Sequence, residues 1–525
     1  MHGHCDKFDK TLKNFAGLSY DPLVGDGDPY MLFWSPLGGA LELISWDLSL
    51  ALLLNRRGMQ CRFCLCDGIM SGCTLRSFDD GKRIEDWPRV CENCFGYGKA
   101  LLEQVGMPYV AMSSRLDGHS AAELREQATT FAAGGDVPGL AGAKPDFNAH
   151  TSTVRYFKGK EVHAGPAMYE KVLREYYYSA LVSGLVAGKL IEGGNIRKVL
   201  TSNVQHAEFG PAFDLFLENG IPVDAWVSGF KERHVYYTHA ATCRGVNILD
   251  LDDEEWGRVQ GGALGASEER KLDAYLNEIS RERGVKLFAD SAADDFARLG
   301  ISGDKPVWIL FTHVHWDMIF EEGVDYFENV QDWIMETVGY MIDIPGVDWI
   351  VRCHPGELLD GTILQTHKLI EERFPDLPEH VHIVHGAGFN SYELLAGADG
   401  CVTIRSTAGM EALLMGKPAI LGGPSYYGRK GFTLDADSRE HYKELLKGAA
   451  SVKPLSPEQT RLVRLFAYHH FIERQVPYNV YDCSTMELNV GSGEGLEPGF
   501  DIGADIICEG VLHGTPYGIS QGSLE

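Results

Sequence analysis

PVWILFTHV (306–314), DWIVRCHP (348–355), HVHIVHG (380–386), DGCVTIRST (399–407) and KPAILGG (417–423) are apolar runs separated by helical segments. Each is short and rich in β-branched or aromatic residues. Each is bounded by Gly, Pro or polar residues, the pattern of a strand buried on both faces. Between them lie VDYFENVQDWIMETVGYMID (324–343), THKLIEERF (366–374), SYELLAGA (391–398) and TAGMEALLMG (407–416). These carry apolar residues at helical spacing, and Gly416 stops the last. Strand and helix alternate with short connections, so residues 305–490 predict a parallel, doubly wound sheet.

The same logic extends toward the N-terminus. MLFWSPLGGALELISWDLSLALLLNRRGMQCRFCLCDG (31–68) reads as strand, Gly-rich loop, helix and strand, a βα unit of a Rossmann-like layer. NIRKVLTSNVQ (195–205), IPVDAWVSG (221–229) and HVYYTHA (234–240) add strands. The stretch Tyr176–Gly188 is too short to span a bilayer and reads as a core helix. Residues 1–29 are polar and read as an arm. Residues 30–250 form a first Rossmann-like lobe with a cysteine-rich insertion at 61–94. Charged segments at 251–304 form a helical bridge, with the acidic run Asp250–Glu255 as a solvated face. The last residues, 491–525, form a Gly-rich tail holding one short strand at Asp505–Cys508. The expectation is an α/β chain of two Rossmann-like lobes.

Composition bounds the function. The chain has 525 residues, 44% hydrophobic and 23% charged, enough for large cores. Its 47 basic against 74 acidic residues give a net charge of −27. That argues against a partner that needs a basic surface, nucleic acid above all. MHGHCDKFDKTLKNF has no apolar targeting core, so the expected place is the cytoplasm. Twelve cysteines there read as thiols or metal ligands rather than disulfides.

In a parallel sheet, ligands gather at the carboxyl ends of the strands. Three loops stand there. Arg352-Cys353-His354-Pro355-Gly356-Glu357 offers an imidazole above a Pro-fixed turn. Ser406 and Thr407 open a helix, where free N–H groups and hydroxyls suit an anion, and Glu411 follows within that helix. Gly422–Thr433 carries Tyr426, Tyr427, Arg429 and Lys430 and could close over a phosphate and a base. Together they predict a phosphorylated ligand. No GxxxxGK[ST] loop, HExxH or kinase motif is present. His313 and His315 form a weaker candidate pair for a metal or for the ligand cleft.

Residues from about Pro306 to Pro477 resemble the capsule polysaccharide biosynthesis and export family, the Kdo-transferase-like proteins often labelled LipB/KpsS. The matching residues are His354-Pro355 with Glu357, Ser406-Thr407 through Glu411, and Gly416-Lys417-Pro418. Lys430-Gly431-Phe432-Thr433 with Asp435 also match, as does Ala467-Tyr468-His469-His470-Phe471 with Arg474 and Pro477. The resemblance implies a GT-B glycosyltransferase using a nucleotide-sugar donor, with CMP-linked acidic sugars such as Kdo or a nonulosonic acid favoured. It implies that His354 contacts the CMP phosphate, that Pro355 shapes the loop, that Ser406 and Thr407 hold the phosphate, and that Glu411 holds the ribose. Glu357, Arg429 and Lys430 complete the expected donor set. Arg405 departs from the pattern, where a smaller or amide residue is common, and this opens the question of the donor sugar. Charge developing on the leaving phosphate can be met by a helix N-terminus, imidazole and cations without a metal. The acceptor, a glycan or lipid-linked glycan, needs a base from the other lobe. Glu42, Asp67, His206 and Asp317 are the candidates. Peripheral association with a membrane assembly machinery belongs to the same expectation. His469-His470 with Arg474 are expected on a helix returning to the first lobe. Two alternatives stay open: a sugar-nucleotide epimerase on the same scaffold, and a non-catalytic metal-stapled export or binding protein.

Cys61, Cys64, Cys66, Cys73, Cys91 and Cys94 are spaced C-x2-C-x-C-x6-C-x17-C-x2-C, close pairs across a loop, as in a thiolate site. Cys91 and Cys94 are the clearest half. The resemblance favours Cys66 and Cys73 as the other, and Cys61 with Cys64 serves equally on spacing. Structural Zn2+ is the expected occupant and an iron–sulfur cluster the alternative, since thiolates alone do not decide between them.

Overall fold

The computed structural model describes residues 2–22, 28–240, 249–251, 253–282, 293–316, 325–359, 362, 364–386 and 388–518. The chain divides into two compact units. One is Met1–Phe157 with Glu161–Cys243 and Glu473–Glu525, and the other is Lys158–Lys160 with Arg244–Ile472.

The first unit is built on β1 (Tyr30–Trp34), β2 (Cys61–Leu65), β3 (Tyr109–Ala111), β4 (Ile196–Thr201), β5 (Val223–Ser228), β6 (His234–His239) and β13 (Val476–Pro477), ordered β13-β6-β5-β4-β1-β2-β3. Strands β5, β4, β1, β2 and β3 run parallel, while β6 pairs antiparallel with β5, and β13 antiparallel with β6, at one edge. Every residue of β1 is buried, as a strand covered on both faces requires. Helix α2 (Leu41–Arg56) follows β1, and almost its whole length from Ile44 to Asn55 is buried. Helix α3 (Trp87–Val105) connects β2 to β3, and α4 (Pro166–Glu192) precedes β4.

Several expectations change here. Residues 61–94 are not an insertion into the lobe. Cys61 and Cys64 belong to β2, and Cys91 and Cys94 belong to the crossover helix α3. The polar N-terminal arm contains helix α1 (His2–Asn14). Thr11 and Phe15, four residues apart, are fully buried and begin a packed segment continued by Leu18 and Tyr20. The Gly-rich tail contains α9 (Ile502–His513), N-capped by the Asp501 side chain on the Ala504 N–H (2.7 Å). Its buried Ala504, Ile507, Cys508 and Val511 follow helical spacing, where a strand had been expected.

The second unit holds β7 (Val307–Phe311), β8 (Asp348–Arg352), β9 (Val381–Val384), β10 (Gly400–Thr403), β11 (Ala419–Leu421) and β12 (Leu434–Asp435). Its order is β12-β11-β10-β7-β8-β9, with every pairing parallel. The strand and helix alternation predicted for this region is the one observed. Helix α5 (Val330–Ile342) covers one face, with Trp333, Ile334 and Val338 fully buried beside Trp308 and Trp349. The Trp333 indole donates to the Tyr442 hydroxyl (3.1 Å), which also meets Thr337 (3.0 Å). A polar group that deep in the core needs such a partner. Helices α6 (Ser391–Gly397), α7 (Thr407–Leu414) and α8 (Pro457–Tyr468) complete the part that positions the site.

The charged 251–304 stretch belongs to this unit rather than standing apart as a bridge. Trp256, Leu272 and Tyr275 are buried in one cluster with Phe432 and Phe466. His469 and His470 likewise belong to this unit, and the chain rejoins the first unit only at Glu473. Among the described residues no helix is long and apolar enough to cross a membrane.

Candidate functional site

The carboxyl ends of β7, β8 and β10 open onto a cavity of about 210 Å³. Phe311 and Thr312 line it from β7, and Arg352, Cys353, His354 and Pro355 from β8. Ser391, Tyr392 and Leu395 come from α6, and Ser406, Thr407, Ala408 and Glu411 from the turn into α7. Adjacent parallel strands bring their following loops to one edge, so residues 312, 354 and 406 meet although they are far apart in sequence.

His354 is held through its backbone and its ring. Its N–H donates to Thr312 Oγ1 (3.0 Å). The Gly356 N–H donates to its ring Nδ1 (3.0 Å). That bond leaves Nε2 to carry the proton of the neutral ring, making Nε2 the donor. Pro355 provides the turn, and Gly356 is required by the close approach. A Cβ at Gly356 would lie 2.8 Å from His354 Nδ1.

At β10 the chain leaves the sheet through Ser406, the N-cap of α7, whose side chain accepts from the Ala408 N–H (3.2 Å). The Ser406 carbonyl accepts from the Tyr427 hydroxyl (2.7 Å), which fixes the entry of the helix. The helix N-terminus therefore faces the cavity with the positive end of its dipole. Glu411 accepts from the Tyr392 hydroxyl (2.9 Å). Arg352, only 5% exposed, ends the buried strand β8 after the apolar Trp349, Ile350 and Val351. Its guanidinium donates to Ser391 Oγ (3.0 Å) and to the carbonyls of Gly386 (2.9 Å) and Phe389 (3.2 Å). Burial holds its pKa below the ordinary value. Arg352 and Tyr392 were missed by sequence reasoning. The available signal was a charged residue closing a buried strand, and a Tyr one residue inside a helix start.

Of the expected donor set, His354, Pro355, Ser406, Thr407 and Glu411 share this cavity. Glu357 does not line it. It is buried and accepts from the N–H (3.1 Å) and hydroxyl of Thr366 at the next helix start, and burial raises its carboxyl. The 422–433 loop is not a cover. Tyr426, Tyr427 and Phe432 are buried in the core of the unit. Lys430 is buried with its Nζ on the Leu251 carbonyl (2.6 Å) and 3.3 Å from Asp253. Arg429 is exposed, at φ 57°, and reaches the Tyr326 hydroxyl (3.0 Å). Arg405, the departure from the family pattern, turns to the buried Asp325 (2.6 Å) and the Pro424 carbonyl (2.8 Å). Its task is to hold that loop. His313 lies with its ring 6.0 Å from that of His354.

The candidate bases belong mostly to the first unit. Glu42 is partly exposed and 3.5 Å from Lys7. Asp67 accepts from the Ser113 N–H (3.1 Å) and hydroxyl. His206 sits at φ 67°, and burial lowers its pKa to about 3. Asp317 lies outside the described residues. Asp47, not among those candidates, lies beneath the loop after β1. It accepts from Ser35 Oγ and from the Trp226 indole N–H (2.9 Å), and burial raises it to about 7.

Residues 268–472 match the model of a family described as capsule polysaccharide biosynthesis protein. Among curated proteins none matches the chain. Among solved structures, the beta Kdo 2,4 transferase KpsC of Thermosulfurimonas dismutans aligns at 16% identity over 52% of this chain and 79% of its own, with a TM-score of 0.33. The beta Kdo 2,7 transferase structure of the same KpsC aligns at 15% identity over 53% and 79%, with a TM-score of 0.31. UDP-GlcNAc 2-epimerase from Neisseria meningitidis, bound to UDP-GlcNAc, aligns at 8% identity over 84% and 99%, with a TM-score of 0.23.

Proposed function

From the match of residues 268–472 to the capsule polysaccharide biosynthesis family model, we propose that the chain is a capsular glycosyltransferase whose donor is a nucleotide-linked sugar, a CMP-linked acidic sugar foremost. The acceptor is a glycan or lipid-linked glycan, and the place of action is the cytoplasm, in peripheral association with a membrane assembly machinery. The supporting observation is the meeting of His354, Ser406, Thr407 and Glu411 in one cavity at the carboxyl ends of β7, β8 and β10.

The chemistry follows from the atoms present. As the glycosidic bond to the nucleotide phosphate breaks, negative charge grows on the leaving phosphate. The N-terminus of α7 and the Nε2–H of His354 are donors suited to that charge, and Arg352 adds a buried cation to the cavity wall. The Glu411 carboxylate, oriented by Tyr392, suits a ribose hydroxyl. Donors already fixed by the fold need little rearrangement when charge develops, which is why such a site accelerates the step.

Titration calorimetry with CMP, UMP and GMP tests the donor. Selective CMP binding is expected, and His354→Ala should weaken it by at least about tenfold, equivalent to about 1.4 kcal/mol. Equal, weak binding of all three nucleotides rejects the CMP assignment.

A further inference from the structure

The first unit carries a second cavity whose lining is chemically unlike the first. Cys66, Cys73, Cys91 and Cys94 all face it, together with Pro36, Leu37, Gly68, Met70, Leu75 and Arg76. A water-sized sphere can move within it over about 20 Å³. We infer that these four cysteines hold an iron–sulfur cluster of the four-iron type.

Three observations carry this. The first is the ligand set. Cys91 and Cys94 stand one helical turn apart on α3 and so share a face. Cys66 lies just past the end of β2, and Cys73 lies in the loop that follows. Cys61 and Cys64 are excluded by strand geometry. Three residues apart in β2, they point to opposite faces of the sheet, and both are buried there.

The second is the pair of donors at the sulfurs. Arg76 Nη2 donates to Cys91 Sγ (2.9 Å). The Gly39 N–H donates to Cys94 Sγ (3.0 Å). Two of the four sulfurs, those of Cys91 and Cys94, thus have an N–H donor, a contact that stabilises and tunes cluster thiolates. The buried Arg76 places a positive charge beside an assembly that carries net negative charge. Glycine makes the approach possible. A Cβ at Gly39 would lie 3.2 Å from Cys94 Sγ, and one at Gly68 would lie 3.3 Å from the Cys91 Cβ.

The third is size. A zinc ion at about 2.3 Å from four sulfurs leaves no space between them for a water-sized body. This cavity has such space. Among the described residues, moreover, no three His, Cys, Asp or Glu side chains are drawn together as around a single ion. A four-iron cluster, larger than a single ion, suits such a lining.

The loop from Cys66 to Arg76 is tied from the opposite side by protein contacts alone. The Gly72 N–H donates to Ser179 Oγ (2.9 Å). Thr74 donates from its N–H (2.8 Å) and hydroxyl (2.6 Å) to the buried Glu208, and Tyr176 donates to the Cys73 carbonyl (3.1 Å). The cluster would join this loop to α3, a join otherwise made through the Arg76 contacts to Cys91 and to the Trp87 carbonyl (3.4 Å).

The full chain, expressed with ample iron and purified without oxygen, should contain about four iron and four acid-labile sulfides and show the broad visible absorption of a cluster. Stoichiometric zinc without sulfide, or neither metal, overturns the inference. Cys91→Ala should lose the absorption, while Cys64→Ala, with native helix content by circular dichroism, should keep it. Loss in both to the same extent overturns the ligand assignment. Arg76→Met keeps all four ligands and removes one N–H donor and one charge. The iron content should hold while the reduction midpoint moves to more negative potential. A midpoint that does not move overturns the placement of the cluster against Arg76.

Discussion

The two units place cavities at the same topological address and fill them with opposite chemistry. In the second unit the loops after β7, β8 and β10 present an imidazole, two hydroxyls, a carboxylate and a helix N-terminus. In the first unit the loops after β1 and β2 present Pro36, Leu37 and Cys66, and the remaining wall is sulfur, methyl groups and one guanidinium. Both addresses follow from parallel strands, whose carboxyl ends must release the chain along one edge. The occupant is decided by a handful of side-chain atoms. Oxygen and nitrogen donors fixed by the backbone suit a phosphate, and thiols met by N–H groups suit iron and sulfide.

The largest effect that tests this contrast comes from beneath the first address. Asp47 is 1% exposed, and burial raises its carboxyl to about 7 against the hydrogen bonds from Ser35 and Trp226. A carboxyl with a raised folded pKa binds its proton more tightly in the native state. Its contribution to stability is therefore fully present below about pH 4 and is lost as pH rises toward about 7. His206 works with the opposite sign, because its folded pKa is lowered to about 3 and its contribution grows as pH rises from there toward 6.5. Urea unfolding of Asp47→Asn against the parent chain isolates the Asp47 part. The difference between the two should favour the variant increasingly from pH 4 to 7, by up to a few kcal/mol. CMP affinity should not change. A flat difference across that range shows that Asp47 is not the buried acid the fold makes it, and a drop in CMP affinity ties the first address to the donor.

A smaller effect probes the second address. Gly356→Ala puts a methyl group 2.8 Å from His354 Nδ1 and displaces the ring whose Nε2 is offered to the phosphate. CMP binding by calorimetry should weaken by about tenfold, roughly 1.4 kcal/mol. Unfolding stability should shift by less, since the Gly356 backbone is not in the left-handed region. Unchanged affinity removes His354 from the donor contact.

Much of this contrast was legible in the chain, and the parts that were not share a cause. The sheet of the second unit could be read because its strands are buried on both faces and its helices keep their spacing, two periodicities that survive without tertiary knowledge. His354, Ser406 and Thr407 could be read because a strand end is a fixed topological place. Glycine content masked α9, where Gly503 and Gly510 sit inside a helix whose apolar spacing is intact. Charge masked the packing at 251–304, where Trp256 and Leu272 are buried in the core of the unit. The cysteine pairs could be counted, but spacing did not separate Cys61 and Cys64 from Cys66 and Cys73. Cys61 and Cys64 lie within β2 on opposite faces, whereas Cys66 and Cys73 lie beyond its end, and that required the extent of β2.

The same limit explains the loop at 422–433, where two cations beside two tyrosines suggested a phosphate cover. Tyr426 and Tyr427 are buried, and they take the backbone inward with them. Lys430 follows and spends its ammonium on the Leu251 carbonyl (2.6 Å). The Asp253 carboxylate beside it is 98% exposed, so that pairing adds little in water. Lys430→Met keeps the aliphatic stem packed and deletes the donor. The Leu251 carbonyl then loses its partner, at a cost of about 1 kcal/mol in unfolding stability. CMP affinity should match the parent chain, because Lys430 does not line the cavity that holds His354 and Ser406. A variant of parental stability that binds CMP tenfold more weakly would return the loop to the donor site, and the second address would then be built from four strand ends rather than three.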